Sequence, residues 1–394
     1  MCAIYGNFRE NVVIVGEQMR VVKMMLEGGC KVMKVVLIFL QRRGSGTLYS
    51  LNMAKELNKR VDLLCIISKD IRNKQEWYDE ELNVKEVETF NNYFECLLST
   101  LKFSKFVKLK KQILKFRPDV IYYPMLHVWI PILNLFFKTV PNVYTMHDPI
   151  LHKGEKNFIL QNINLISARQ ANRVVLLSKV FENVVTNYGI KFNNIDIIPH
   201  GEYSYYTQNG IMYNQNFKNT ILFFGRINEY KGLDVLLKAF KKIYKKNNNT
   251  KLLIVGSGNI EKYEELLIDL DNVEIVNRWI GDDEISNFFD KADFLVAPYI
   301  DASQSGVIPT AYAFSMPVVT TNIGGLAEQV EEGRTGFLVE SQDIDDLADC
   351  CLKLLNNPKL IKQMGQNAYQ KSKTEMSWKD SVEKLLSGFN KINR

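Results

Sequence analysis

Hydrophobic positions along this 394-residue chain fall into two rhythms. Short apolar runs rich in β-branched residues, at 35–40, 61–67, 120–123, 143–146 and 174–177, alternate with longer stretches in which apolar residues recur at helical spacing. Runs of that length predict buried strands, and strands alternating with helices predict a parallel sheet covered on both faces. Met33 and Lys34 open the first run, so residues 1–32 are expected to be an extension outside the fold. Residues 120–137 are mostly apolar, yet Pro124, His127, Pro131 and Asn134 interrupt them, which predicts a buried strand and helix rather than a membrane span.

After residues 197–201 a polar stretch rich in Tyr, Asn and Gln intervenes, and the alternation restarts with runs at 221–224, 252–255, 273–276, 294–297 and 318–320. The chain is therefore expected to be of α/β class, with two Rossmann-like doubly wound domains, residues 33–200 and 220–375, joined by a linker at 201–219. Such sheets bind ligands outside the carboxyl ends of their strands, so two of them predict a central cleft. Trp378, Val382, Leu385, Leu386 and Phe389 form an apolar stripe that predicts a C-terminal helix over 376–394, packed back toward the first domain.

Composition narrows the classes. With 46% hydrophobic and 24% charged residues, the chain can bury two cores. Residues 33–200 carry 24 basic against 15 acidic side chains, which favours an anionic partner for the first domain. Six cysteines without CxxC spacing predict reduced thiols, a cytoplasmic setting and no structural zinc. Arg9, Glu10, Glu17 and Arg20 interrupt any signal-peptide core, so secretion is not expected.

The densest candidate chemistry lies at 223–232, where a strand, Arg226, a turn, Lys231 and a new helix fall within ten residues. Two cations near one helix start would stabilise charge building on a departing diphosphate, and stabilisation gained only in the transition state raises turnover. In isolation the same residues also fit a pair of solvated surface charges. A second candidate follows the run at 294–297. There Asp301, Ser303, Gln304, Ser305 and Gly306 precede a helix-like stretch, so small residues would offer backbone N–H groups to an anion or simply cap the helix. Gly324, Gly325 and Glu328 form a further glycine-rich rim that also fits an ordinary turn. Gly44, Gly46 and Thr47 separate the first run from its helix, a weak anion-binding signal. A dinucleotide fingerprint would need glycine where Tyr49 stands, and the pair Gly256 and Gly258 fails likewise at Glu261.

Together these residues resemble the retaining GT-B glycosyltransferases of family 4. The resemblance spans residues 33–390 and rests on Thr145-Met146-His147-Asp148, Leu177-Ser178-Lys179, Ile198-Pro199-His200-Gly201, Gly225-Arg226 with Lys231-Gly232, Val255-Gly256-Ser257-Gly258, Ala292-Asp293, Pro317-Val318-Val319, Gly324-Gly325 with Glu328, and Gly333-Arg334-Thr335-Gly336. It implies a hexosyltransferase that moves a sugar from a UDP or GDP donor with retention and without metal or other cofactor. By resemblance Arg226 and Lys231 bind the donor diphosphate, His147 contacts the donor sugar, and the loop holding Gly44 and Gly46 lines the cleft. Gly225, Gly256, Gly325, Glu328 and the 301–306 segment complete the expected donor site. One departure matters. The family carries two glutamates eight positions apart, and here Ala302 and Thr310 stand in their places, with Asp301 a candidate substitute for the first. This leaves donor identity open and motivates the rival reading, a non-catalytic nucleotide- or glycan-binding protein.

Of the four histidines, His147 beside Asp148 takes a cleft position, His200 reads as a satisfied structural residue, His127 as core and His152 as a loop residue. No HExxH spacing occurs, and the strings at 269–271 and 343–345 that mimic a metal-binding DxD are expected in loops and helix caps. Between Ser99 and Pro118 seven basic residues and no acidic one interleave with apolar positions. The segment fits a basic amphipathic helix that either docks peripherally on an anionic membrane, bringing a glycan or lipid-linked acceptor to the cleft, or covers the first core with its charges in solvent. Base-stacking aromatic platforms are not evident, so nucleic acid is not an expected partner. The resulting expectation is a role in cell-surface polysaccharide or glycolipid synthesis at the inner face of the plasma membrane.

Overall fold

The structure, a computed structural model, describes residues 32–44, 46–151, 157–207 and 216–392. Apart from Val32, the expected extension at 1–32 lies outside the described residues, as does His152. The first sheet holds β1 (Lys34–Phe39), β2 (Asp62–Ser68), β3 (Val84–Val87), β4 (Val120–Tyr123), β5 (Asn142–Met146), β6 (Arg173–Leu176) and β7 (Ile195–Ile197). All pair in parallel, in the order β3-β2-β1-β4-β5-β6-β7. The second holds β8 (Thr220–Phe224), β9 (Lys251–Gly256), β10 (Val273–Asn277), β11 (Phe294–Ala297), β12 (Val318–Thr321) and β13 (Gly336–Val339). It too is parallel, in the order β10-β9-β8-β11-β12-β13. Strand order reverses between β1 and β4 in one sheet and between β8 and β11 in the other, and crevices at such reversals are where doubly wound sheets hold ligands.

Every strand expected from an apolar run is present within a residue or two. The three that were not expected, β3, β7 and β13, are all edge strands. An edge strand buries less, and the exposed Lys85 and Glu86 of β3 break the apolar run that would have betrayed it. Along β1, Val36 and Ile38 face one core layer while Val35, Leu37 and Phe39 face the other. That alternation is the pleat of a strand buried on both faces.

The C-terminal helix Trp378–Ile392 sends Val382, Leu385 and Phe389, all fully buried, into the same layer as Val35 and Leu37 of the first domain. Burying each such side chain is worth about 1.5–3 kcal/mol. A buried ion pair reinforces the joint: Arg173 of β6 donates from Nε (2.6 Å) and Nη2 (2.7 Å) to the two oxygens of Asp196 in β7, and Lys391 reaches the same carboxylate at 3.2 Å. The basic stretch expected as one helix is two, Tyr93–Leu101 and Phe103–Phe116, joined at Lys102. Phe106, Leu109 and Ile113 of the second are core residues.

Candidate functional site

At the β8–β11 reversal, Gly225 (φ 119°) turns the chain out of β8 while its N–H donates to the Val255 carbonyl at 2.9 Å. Gly256 (φ 146°) closes β9 so near to Gly225 that a Cβ there would lie against the Gly225 carbonyl oxygen. A short turn, Glu229–Lys231, ends at Gly232 (φ 68°), where a Cβ would collide with the carbonyl oxygen of Pro298. Only glycine permits that approach, and the approach sets Lys231 Nζ 3.7 Å from the ring centroid of buried Tyr299 and 5.1 Å from that of Tyr230. Arg226 Nη2 donates to the Tyr230 hydroxyl at 3.3 Å, and the Ile300 N–H donates to the Tyr230 carbonyl at 2.7 Å. Both expected cations thus stand on one aromatic platform at a ligand-binding crevice.

The 301–306 loop is built differently from the expected row of free donors. Ser303 and Ser305 are 1% and 2% exposed. The Ser305 hydroxyl pairs with the Tyr299 hydroxyl at 3.0 Å and accepts from the Val307 N–H at 3.3 Å. Gln329 grips the Ser305 backbone from both sides, its Oε1 accepting from the N–H at 3.0 Å and its Nε2 donating to the carbonyl at 2.9 Å. The carbonyl of Ser303 accepts from the Gly325 N–H at 3.1 Å. Ser305 therefore fixes the loop instead of offering its groups outward, and the following helix, Val307–Ala313, is only seven residues long. Gln304 keeps a buried carboxamide oxygen that has no hydrogen-bond partner among the described residues. Asp301 is half-buried beside Ile300, while Ala302 and Thr310, in the places of the family's glutamates, are both 4% exposed. The Thr310 hydroxyl donates to the Gly306 carbonyl at 2.9 Å.

Across the cleft, His147 follows β5 and its Nε2–H donates to the Pro124 carbonyl at 2.9 Å, which fixes the tautomer and leaves Nδ1 as the acceptor. Burial lowers its pKa, keeping the imidazole neutral. The Tyr49 ring meets His147 edge-on at 4.7 Å and also packs on His200 and Trp378, each at 5.3 Å. His200 is a satisfied residue: Nδ1 pairs with the Gly201 carbonyl at 2.9 Å, the Tyr203 hydroxyl lies 3.3 Å from Nε2, and burial pushes its pKa down to about 4. His127 packs between Phe90 and Trp129, with burial holding its pKa near 3. Gly46 opens the Gly46–Asn58 helix tightly against Met125 and Gln41, so β1 and β4 meet there, and exposed Gly44 (φ 95°) accepts from the Thr47 N–H at 3.1 Å.

Two residues expected at the donor site, Gly325 and Glu328, make contacts between the domains. The carboxylate of Glu328 accepts from the N–H groups of Lys179 (3.0 Å) and Val180 (3.1 Å), capping a turn of the first domain. Gly325 lies so close to Ser178 and the Ser303 carbonyl that a side chain would not fit. At the far side of the interface the Arg72 guanidinium sits 5.6 Å from the ring centroid of Trp279, and linker residues Tyr205 and Tyr206 reach Glu76 (3.5 Å) and Asp282 (3.4 Å). Tyr49, Tyr299, Gln329 and Trp378 went unrecognised in the sequence as site-shaping residues, because nothing local marks a residue whose partners lie tens of positions away.

The two halves join in one line of contacts. His147 touches Tyr49, Tyr49 touches His200, and His200 and Tyr203 face Gly306 at the distance of an ordinary contact, 3.8 and 3.7 Å from the place of a Cβ. From there Ser305 leads to Tyr299 and on to Lys231. A hollow elsewhere, lined by Lys218, Lys251, Asp271 and Asp290 among others, opens at the amino ends of β8 to β10, the wrong end for a doubly wound sheet. Among the described residues there is no group of three or more His, Cys, Asp and Glu side chains suited to a metal ion, and no helix long and apolar enough to cross a membrane.

Comparison with known proteins agrees with this arrangement. The model of Glycosyltransferase Family 4 matches residues 46–201, and that of Glycosyl transferases group 1 matches residues 218–357. An uncharacterized glycosyltransferase of Methanocaldococcus jannaschii is 30% identical over 263 residues, covering 64% of this chain and 68% of that protein. The capsular polysaccharide biosynthesis glycosyltransferase CapM of Staphylococcus aureus is 27% identical over 273 residues, covering 63% and 70%. Among solved structures, Anabaena HepE in complex with UDP superposes with a TM-score of 0.71 at 18% identity, over 91% of this chain and all of that one. Sucrose-phosphate synthase of Thermosynechococcus elongatus superposes at 0.70 and 18%, over 92% and 99%. Two facing Rossmann-like domains, cations at the second domain's strand reversal and these relatives place the chain in glycosyltransferase family 4, with the GT-B fold.

Proposed function

We propose that the protein transfers a hexose from a UDP-sugar to a glycan or lipid-linked acceptor, with retention and without a metal. The observation that carries this reading is the line of contacts from His147 to Lys231, which sets a neutral imidazole of one domain opposite two cations of the other. Arg226 and Lys231 bind the diphosphate and stabilise its charge as the bond to the anomeric carbon breaks. His147, held neutral, accepts through Nδ1 from a sugar hydroxyl. The acceptor oxygen attacks the anomeric carbon on the face the diphosphate leaves, and its proton goes to the departing phosphate oxygen. UDP is favoured over GDP because Anabaena HepE, of the same fold, binds UDP and UDP-glucose. The relationship to CapM supports a role in cell-surface polysaccharide synthesis, and a lipid-linked acceptor would put that work at the inner face of the plasma membrane.

The rival reading, a nucleotide- or glycan-binding protein without turnover, draws on Ala302 and Thr310, whose buried positions offer no carboxylate to a sugar or ribose. The test is a panel of UDP- and GDP-sugars incubated without added metal and with chelator, scored for nucleoside diphosphate release. Release from a UDP-sugar, reduced about 100 to 1000-fold in Arg226→Ala, is the expected result. Tight nucleotide binding with no release from any donor would establish the rival.

A further inference from the structure

The Tyr93–Leu101 helix is inside out. Two of its polar residues face the protein, while Glu95 stays at the surface with Asn91 and Asn92: Ser99 is 9% exposed and accepts from Lys105 Nζ at 2.6 Å, and the Thr100 hydroxyl accepts from the indole N–H of buried Trp129 at 2.8 Å. Its apolar residues face solvent at spacing i, i+3, i+4, i+7: Phe94 is 70% exposed, Leu97 60%, Leu98 46% and Leu101 66%. Phe103, 64% exposed, continues the ridge past the junction at Lys102 and lies 6.1 Å from the Phe136 ring. Scattered exposed leucines are unremarkable, but a contiguous ridge of this kind marks a surface that water does not normally cover.

Charge identifies the occupant. From Cys96 to Pro118 the chain has seven basic residues and no acidic one, and Lys102, Lys108, Lys111 and Lys115 are exposed beside the ridge. A second copy of the chain on this surface would set lysines against lysines. An anionic leaflet takes both the apolar ridge and its cationic flank. We propose that the Tyr93–Leu101 ridge inserts into an anionic membrane surface, with the lysines of the following helix on the headgroups. Five residues separate the carboxyl end of β3 from this helix, and Asn91, just before its N-cap, is tied to the loop after β1 by a hydrogen bond with Arg42.

The proposal is tested by co-sedimentation with vesicles of phosphatidylcholine alone and of equal parts phosphatidylcholine and phosphatidylglycerol, with no donor present, so that the result does not depend on glycosyl transfer. The full chain is expected to sediment with the mixed vesicles only. The double variant Leu97→Ser/Leu101→Ser should lose about tenfold or more of this binding. The double variant Lys108→Gln/Lys111→Gln should lose about fivefold for each cation. Circular dichroism and nucleoside diphosphate release in solution should not change in either, since these side chains touch neither core nor cleft. Three results would overturn the proposal: no sedimentation with mixed vesicles, undiminished binding by the leucine variant, or a wild-type dimer in the ultracentrifuge that the leucine changes dissociate, which would show a second copy on the ridge.

Discussion

Single residues here do their work through neighbours that sequence order hides. Arg226 and Lys231 could be identified as a pair because five positions separate them, but the aromatic platform of Tyr230 and Tyr299 that holds them needed the fold. His200 shows how burial alone sets a property. Its pKa falls from 6.5 unfolded to about 4 folded, so the fold favours the neutral ring. The stability this gives is fully present above pH 6.5 and is lost as the pH falls toward 4. The cost reaches about 2 kcal/mol by pH 5. Urea unfolding at pH 7.5 and pH 5 should show that loss in the wild type and a smaller one in His200→Gln. An equal loss in both would mean that other groups carry the pH dependence. His147 follows β5, a strand whose end was readable from its apolar run, whereas His200 follows β7, an edge strand that was not.

Most of the central strands were legible because they are buried on both faces. They announce themselves through runs such as Val35 to Leu40, whereas β3 is exposed at its middle and β7 is only three residues long; at the second sheet's edges β10 was readable though exposed, and β13, largely buried, was not. The Tyr93–Leu101 helix escaped because its apolar stripe suits any amphipathic helix, and only packing reveals which side faces out. The Arg173–Asp196 pair was equally hidden, since charged residues in a sequence give no sign of becoming 6% and 8% exposed. That pair ties β6 to β7 and, through Lys391, to the C-terminal helix. Removing one partner strands the other charge, so Asp196→Ala should cost about 3–5 kcal/mol in urea unfolding. A loss under 1 kcal/mol would show that water reaches Arg173 after all.

At the scale of the whole molecule, the cleft depends on how firmly two domains with separate cores stay apposed, and domains of this kind move relative to one another unless their interface is large and apolar. Glu328 is the test case, since the sequence placed it on the donor and the structure places both its oxygens on the N–H groups of Lys179 and Val180. These bonds are charge-assisted but exposed, so solvent screens them and their worth is about 1 kcal/mol, a roughly fivefold shift between open and closed forms. Glu328→Ala should therefore raise the radius of gyration measured by small-angle X-ray scattering and raise the donor KM about fivefold, with little change in unfolding free energy. Glu328→Gln, which keeps one acceptor oxygen, should fall between. Saturating donor should return the Ala variant to the wild-type radius, because a ligand held by both domains supplies the closure the clasp no longer does. If the radius is unchanged in the absence of donor while donor KM still rises, Glu328 acts on the donor itself, and its contact with Lys179 and Val180 is incidental to closure.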